Sequence, residues 1–488
     1  MSFTLPPGTP TAIAILFYVV IFVVAVAITP AGRRPSSALA WILVMLVLPL
    51  VGFALFALIG SPKLPAARRE KQRSVDDRIE EHTREVPDFE GGPEAPDWLP
   101  AIAKLNRQSG GLPMIDGNRA RLLPHFDEQL EAIIRAVDSA VVTVQVEFYI
   151  FALDETTRPF FAALERAVQR DVDVRVLLDH IGSRAYPGFR PALAEFTRIG
   201  VKWELMLPVL PLRGKYQRPD LRNHRKILVV DGRLAFVGSL NLIDPSYEKR
   251  GNIRRGLRWR DLLVELRGPI VNEVRAVFST DWYSETDEIP PFRQLDATTD
   301  DGNPATMLAQ IVPSGPGFEF ENNLALFTSL LYAAERRVSI TSPYFVPEES
   351  LLAAIVTAAR RGVDIELFVG EIGDQFFVFH AQHSYYQDLL EAGVRIYEYR
   401  EPIILHAKHI SVDDHVSAVG SSNMDIRSFQ LDLELMVLVS DREFTDSLRR
   451  VEDEYRAEST ELTLDDWNRR GRGHRFVDNV ARLSSAVQ

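Results

Sequence analysis

The feature that most restricts how this 488-residue chain can fold is an internal duplication. AVVTVQVEFYIF from Ala140 is echoed by RRVSITSPYFVP from Arg336, DVDVRVLLD from Asp171 by GVDIELFVG from Gly362, and GVKWEL from Gly200 by GVRIYEY from Gly393. A polar marker closes each series. His224-Arg225-Lys226 runs on to Asp231, and His406-Ala407-Lys408 runs on to Asp413, each in the pattern H-x-K-x-x-x-x-D. Beyond each lies a Gly-Ser pair and an Asn: Gly238, Ser239 and Asn241, then Gly420, Ser421 and Asn423. Apolar strands resemble one another by chance, but four markers in one order, the last of them polar, indicate two related halves.

Within a copy, helical spacing over Phe126 to Val137 and Pro159 to Gln169 alternates with β-branched runs at Ala140 to Phe151 and Val172 to Leu178. This alternation predicts an α/β fold with a mostly parallel sheet in each half. The first half is expected over 111–295 and the second over 296–488, with the boundary in the polar stretch Gln294 to Asn303. Residues 63–110, charged and broken by Gly91-Gly92-Pro93, read as a linker with a short helix at its start.

Residues 1–62 have a different composition. Ala12 to Ile28 and Leu39 to Ile59 contain no charge and approach the ~20 residues that cross a bilayer. They are expected to form two transmembrane helices rather than a signal peptide, because no basic region precedes the first and a second follows at once. Arg33 and Arg34 lie between the stretches, whereas Lys63, Arg68, Arg69, Lys71 and Arg73 follow them. The positive-inside tendency then places the rest of the chain in the cytoplasm. The same basic run could also lie against anionic headgroups.

Composition excludes some functions. The chain has no cysteine, so disulfides and thiolate metal sites are absent. A net charge of -12 argues against a nucleic-acid-binding surface.

The repeated motif carries the chemistry. Asp231-Gly232 between two apolar runs signals a hairpin, and a strand would project His224 and Lys226 from one face. Asp231, and Asp413 in the second copy, belong to the motif but stand at the turn, which suits a structural role better than a reacting one. An imidazole beside an ammonium, with Ser239, Asn241, Ser421 and Asn423 as hydrogen-bond donors, suits a phosphodiester. Of the paired His224 and His406, one can attack phosphorus while the other protonates the leaving alkoxide. The residues alone do not tell which. Lys226 and Lys408 would repel a cation, so neither a metal nor another cofactor is expected.

The paired HxKxxxxD with its following GSxN resembles the phospholipase D superfamily, and the whole chain is similar to the bacterial cardiolipin synthases. The likeness runs through Arg34-Pro35 with Ala40-Trp41-Ile42-Leu43, VEFYIF at Val146, NHRKILVVDG at Asn223, WRD at Trp259, SPYFVPEESLLAAIVTAARRGVDI at Ser342 and HAKHISVDDHVSAVGSSNMDIRSF at His406. The resemblance implies two α-β-α sandwich halves sharing one cleft and a phosphohistidine intermediate. It also implies phosphatidyl transfer between two phosphatidylglycerol molecules with release of glycerol, at the bacterial inner or plasma membrane. By the same resemblance His224 is the nucleophile, His406 the general acid and base, and Asp261 and Glu434 the carboxylates that orient them, with Glu265 as a rival to Asp261. One departure is Asp432, where the family often has Asn.

Two other readings of the motifs stand beside this one: a membrane phospholipase D with water as acceptor, and a catalytically idle membrane scaffold. Leu207 to Leu212, Phe376 to Phe379, Tyr385 and Tyr386 could contact lipid, although ordinary core packing accounts for each as well.

Overall fold

A computed structural model describes residues 9–29, 35–61, 63–92, 95–291 and 306–483. Arg33, Arg34 and the expected boundary at Gln294 to Asn303 lie outside the described residues. The chain divides into two units, Met1–Leu64 and Pro65–Gln488.

The duplication is visible strand by strand in the larger unit. The first half orders Ile115–Leu123, Leu263–Arg267, Leu234–Gly238, Lys226–Val230, Thr143–Phe148, Asp173–Asp179 and Lys202–Met206. The second repeats that order with Met307–Ser314, Asp432–Ser440, Val416–Gly420, His409–Val412, Arg337–Thr341, Asp364–Gly370 and Arg395–Tyr399, then adds Ser459–Leu462 at its edge. The halves join where Ile115 and Asn118 pair antiparallel with Ala309 and Met307; with the short strand Arg222–Asn223, which pairs off this order with Asp432–Ser440, this gives one 16-stranded sheet among the described residues.

The sheet is less parallel than expected. Along this order the parallel pairs are confined to Thr143–Phe148 through Lys202–Met206 and Arg337–Thr341 through Arg395–Tyr399. The inner strands are antiparallel: the motif's two short hairpins reverse the chain between direct neighbours, and the strands flanking each hairpin also pair antiparallel with it.

Alternate residues of each inner strand feed different cores, as the two-residue period requires. Leu228 and Val230 meet the helices Phe126–Ser139 and Arg158–Gln169, while Ile227 and Val229 face the opposite layer. That opposite layer holds Val237 and Val264 of the first half with Val419, Leu435 and Val437 of the second. Both hairpins therefore rest on one common core.

Residues 63–110 are not a free linker. Helices Ala66–Thr83 and Leu99–Gly110 pack on the body: Arg68 forms a buried ion pair with Glu285 at 2.6 Å, Lys71 pairs with Asp287 at 2.6 Å, and Leu99 and Ile102 enter the second-half core. Arg68 and Lys71 thus hold a helix down rather than facing lipid.

In the smaller unit, the first apolar stretch forms helix Thr9–Ile28. The second is not one helix. It breaks at Leu48 into Pro35–Val47 and Pro49–Ile59, because Pro49 offers no amide hydrogen and clashes with the preceding turn. The two pieces fold together: Trp41 meets Phe56 edge-on at 5.4 Å, and a Cβ on Gly52 would stand 2.7 Å from Met45 Cα. Among the described residues, no helix is long and apolar enough to cross a membrane.

Candidate active site

The two HxK strings converge by exchanging backbone partners. Arg222–Asn223 pairs parallel with Asp432 and Leu433, and His224 N donates to Leu433 O at 2.8 Å. Arg258–Arg260 pairs parallel with Ile403–Leu405, and His406 N donates to Arg260 O at 2.8 Å. Each histidine is thereby delivered to the carboxylate-bearing segment of the other half.

The side chains follow the same exchange. His224 Nδ1 lies 2.9 Å from Glu434 Oε1, and His406 Nδ1 lies 2.6 Å from Asp261 Oδ1. Both Nε2 atoms are left for the cleft. Glu265 does not compete with Asp261; it turns outward to Arg121 at 2.7 Å and Arg267 at 3.1 Å. Buried Lys226 and Lys408 each donate Nζ to the carbonyl of the histidine two residues earlier.

Four motif residues have structural work, which for the two aspartates is the role their turn position suggested and for the two serines is not. Ser239 Oγ donates to Asp261 Oδ1 at 2.7 Å and accepts from Leu262 N; Ser421 Oγ donates to Glu434 Oε2 at 2.5 Å and accepts from Leu435 N. These hydroxyls hold the carboxylates and not a phosphate. The glycine before each serine allows this approach, since a Cβ on Gly238 or Gly420 would stand 2.3 Å from Leu262 O or 2.1 Å from Leu435 O.

Asp231 and Asp413 sit at the far hairpin turns with φ of 54° and 49°. Asp231 accepts from the amides of Val141, Val142 and Thr143, and Asp413 from those of Glu335, Arg336 and Arg337. They aim the hairpin without touching the cleft. Asp231→Ala is expected to cost about 3 kcal/mol, from three unpaired amides and a strained left-handed residue, while the protein that folds keeps turnover within a few-fold. Thermal unfolding beside a turnover assay checks this.

Asn241 and Asn423 do line the cleft, whose volume is about 660 Å³. Asn241 also donates to Tyr247 OH at 2.8 Å. Sequence reasoning missed Tyr149 and Arg427, both lining the same cleft. Tyr149 meets His224 edge-on at 4.8 Å between ring centroids and lies 5.3 Å from Lys226 Nζ. Arg427 reaches Asp432 Oδ2 at 3.2 Å. Both lie inside quoted strings, VEFYIF and MDIRSF, but nothing in strand or helix periodicity aims them at the histidines.

The electrostatics are unequal between the halves. Burial, followed by the cations of Lys226 and Lys408, holds His224 well below the ordinary imidazole range, and burial lifts Glu434 well above the carboxylate range. His406 is also lowered by burial and Lys408, but Asp261 opposes that shift. Asp261 itself stays below its usual value because His406 and Lys408 outweigh its burial. Both rings are thus held below the ordinary imidazole range, His224 further, and at His406 an ionised Asp261 opposes the shift.

Burial pushes Lys226 down to about 7 and Lys408 to about 8. A lysine is charged below its pKa, so the cleft's positive field is complete below pH 7 and is lost as pH rises past 8. The expected result is an alkaline fall in kcat/KM across that window, read from a pH profile of the free enzyme. Lys226→Arg should move the onset of the fall from about 7 to about 8, where Lys408 then sets it, since guanidinium stays charged.

Among the described residues one group, His380, His383 and Asp478, has the spacing to hold a metal ion. It lies apart from the histidine pair, and Arg470 already stands 2.9 Å from Asp478 Oδ2, where a cation would be opposed.

Comparison with known proteins places these observations. A family model described as "Cardiolipin synthase, PLD-like domain" matches residues 133–282 and 327–454, and "Phospholipase_D-nuclease N-terminal" matches 14–61. The chain is 32% identical over 470 residues to cardiolipin synthase A of Proteus mirabilis (strain HI4320), covering 93% of this chain and 94% of that one. It is 32% identical over 455 residues to cardiolipin synthase A of Pectobacterium carotovorum subsp. carotovorum (strain PC1), covering 92% of each. The phosphatidylserine synthase structure from Haemophilus influenzae Rd KW20 shares the fold, with a TM-score of 0.57 at 14% identity over 79% of this chain and 99% of that one.

Proposed function

Since the chain belongs to the phospholipase D-like cardiolipin synthases, we propose that its cleft transfers a phosphatidyl group from one phosphatidylglycerol to another. The chain is a phosphatidyltransferase that makes cardiolipin. The observation that carries the mechanism is the crossed pairing of His224 with Glu434 and His406 with Asp261.

In the reactive tautomer His224 donates Nδ1–H to Glu434, which leaves the Nε2 lone pair facing the cleft. Nε2 attacks phosphorus, the bond to the glycerol oxygen breaks, and that oxygen takes the proton of His406 Nε2. Glycerol leaves. His406, now neutral, takes the proton of the incoming headgroup hydroxyl as its oxygen attacks phosphorus and the phosphorus–nitrogen bond breaks. Lys226 and Lys408 place positive charge beside the non-bridging oxygens in both steps. The lower basicity of His224 and the ionised Asp261 beside His406 support this division of roles.

Burial raises Asp432 to about 6 and Arg427 opposes it. This pair lines the cleft beside the His224–Glu434 dyad, and the change from the family's Asn adds a carboxyl group there that bears on headgroup preference.

The family's membrane enzymes and the apolar unit support a position at a bacterial membrane, and the basic residues after position 62 are the ground for reading the catalytic unit as cytoplasmic. Whether water or an alcohol accepts the group is decided by incubating purified protein with headgroup-labelled phosphatidylglycerol. Cardiolipin and free glycerol in equal amounts are expected; phosphatidic acid without cardiolipin would make the enzyme a phospholipase D.

A further inference from the structure

The described chain ends in a helix, Arg472–Leu483, that has no part in the chemistry above. Phe476, Val480 and Leu483 are spaced four and three residues apart, which aligns them as one stripe. They are 70%, 47% and 84% exposed. The stripe cannot roll inward, because the opposite side is fastened. Asp478 Oδ1 lies 2.7 Å from His380 Nδ1, Asp478 Oδ2 lies 2.9 Å from Arg470, and Ala481 is buried.

The surrounding charge is opposite to that of the protein as a whole. From position 469 to 482 the sequence holds Arg469, Arg470, Arg472, Arg475 and Arg482 against Asp478, in a chain of net charge -12. The helix to which this one is fastened, Phe376–His383, begins with Phe376 and Phe377, 63% and 60% exposed. Both also line the catalytic cleft. An exposed apolar stripe with basic flanks, on a helix packed against one whose exposed aromatic rings line the cleft, has the make-up of an element that lies in the headgroup layer of an anionic bilayer.

We propose that helix Arg472–Leu483 docks the catalytic unit on anionic phospholipid, with Phe476, Val480 and Leu483 below the headgroups and the cleft mouth at the membrane surface. This contact is separate from the N-terminal apolar unit. Its choice of an anionic lipid rests on the proposed function, since phosphatidylglycerol is both the substrate and the charge that the arginines would meet.

The absence of cysteine makes the test direct. Single cysteines at 475, 476, 480 and 483 of the full chain are labelled with a nitroxide, and each variant is first required to keep the parent's thermal unfolding midpoint. In phosphatidylglycerol/phosphatidylcholine vesicles, positions 476, 480 and 483 should collide several-fold more with oxygen than with a water-soluble nickel chelate, and 475 should not. In pure phosphatidylcholine the contrast should shrink. Equal nickel access at all four positions would overturn the proposal, as would dipolar broadening showing that a second copy covers the stripe. The readout needs no turnover, so its failure is distinguishable from failure of the catalytic reading.

Discussion

His224→Ala is expected to lower cardiolipin formation by on the order of 10⁴-fold or more, the loss typical of removing a nucleophile whose partners are useless alone. The ring is buried against Tyr149 and bonded to Glu434, and among the described residues the one other histidine lining this cleft is His406, which has the acid and base role. The fold should survive, because the strand is held by backbone bonds that the substitution leaves intact, His224 N to Leu433 O among them. A radiometric assay for cardiolipin, with circular dichroism as the control, checks both halves of this statement. Removing only Glu434 as Glu434→Gln should cost less, about 10²-fold, since His224 remains but its tautomer is no longer enforced.

His406→Ala should behave differently from His224→Ala. Its loss removes the acid for the first step and the base for the second, each worth roughly 10²–10⁴-fold. A phosphatidyl ester with an acidic phenol as leaving group needs no acid to depart. With that substrate the variant should release phenol in a burst of about one equivalent and then stall, its phosphatidyl group still on the protein. Asp261→Asn should give the same burst with slower discharge, because the ring loses the carboxylate that opposes the fall in its basicity. If His406→Ala gave no burst with the activated ester, the division of labour drawn from the unequal electrostatics would be wrong.

The halves and the two hairpins were legible in the sequence because they rest on local patterns: four repeated markers, a two-residue period, and an Asp-Gly turn matched by Asp413-Asp414; the strand order and its antiparallel centre were not, because they rest on long-range pairing. The catalytic pairs were legible as residues but not as partners. Periodicity places Asp261 and Glu434 near strands of their own halves, while the exchange of Arg222–Asn223 and Arg258–Arg260 into the opposite half is a long-range pairing with no local signal. The same limit misread Ser239 and Ser421, whose hydroxyls could serve a phosphate or a carboxylate equally until the opposing strand is in place. At 63–110, charge and glycine suggested a linker, but Arg68 and Lys71 are charged because Glu285 and Asp287 face them. The second apolar stretch had the composition of a span, and Pro49 with Gly52 turned it into a helical hairpin.

The most direct test of a single site built from both halves is to find where the phosphatidyl group rests between substrates. Protein mixed with phosphatidylglycerol carrying ³²P in its phosphodiester is quenched within one turnover, digested, and mapped under alkaline conditions that preserve phosphohistidine. The predicted result is acid-labile label on the peptide containing His224, which is chased into cardiolipin by unlabelled phosphatidylglycerol. Label on the His406 peptide, or cardiolipin formed at full rate with no labelled protein, would contradict it.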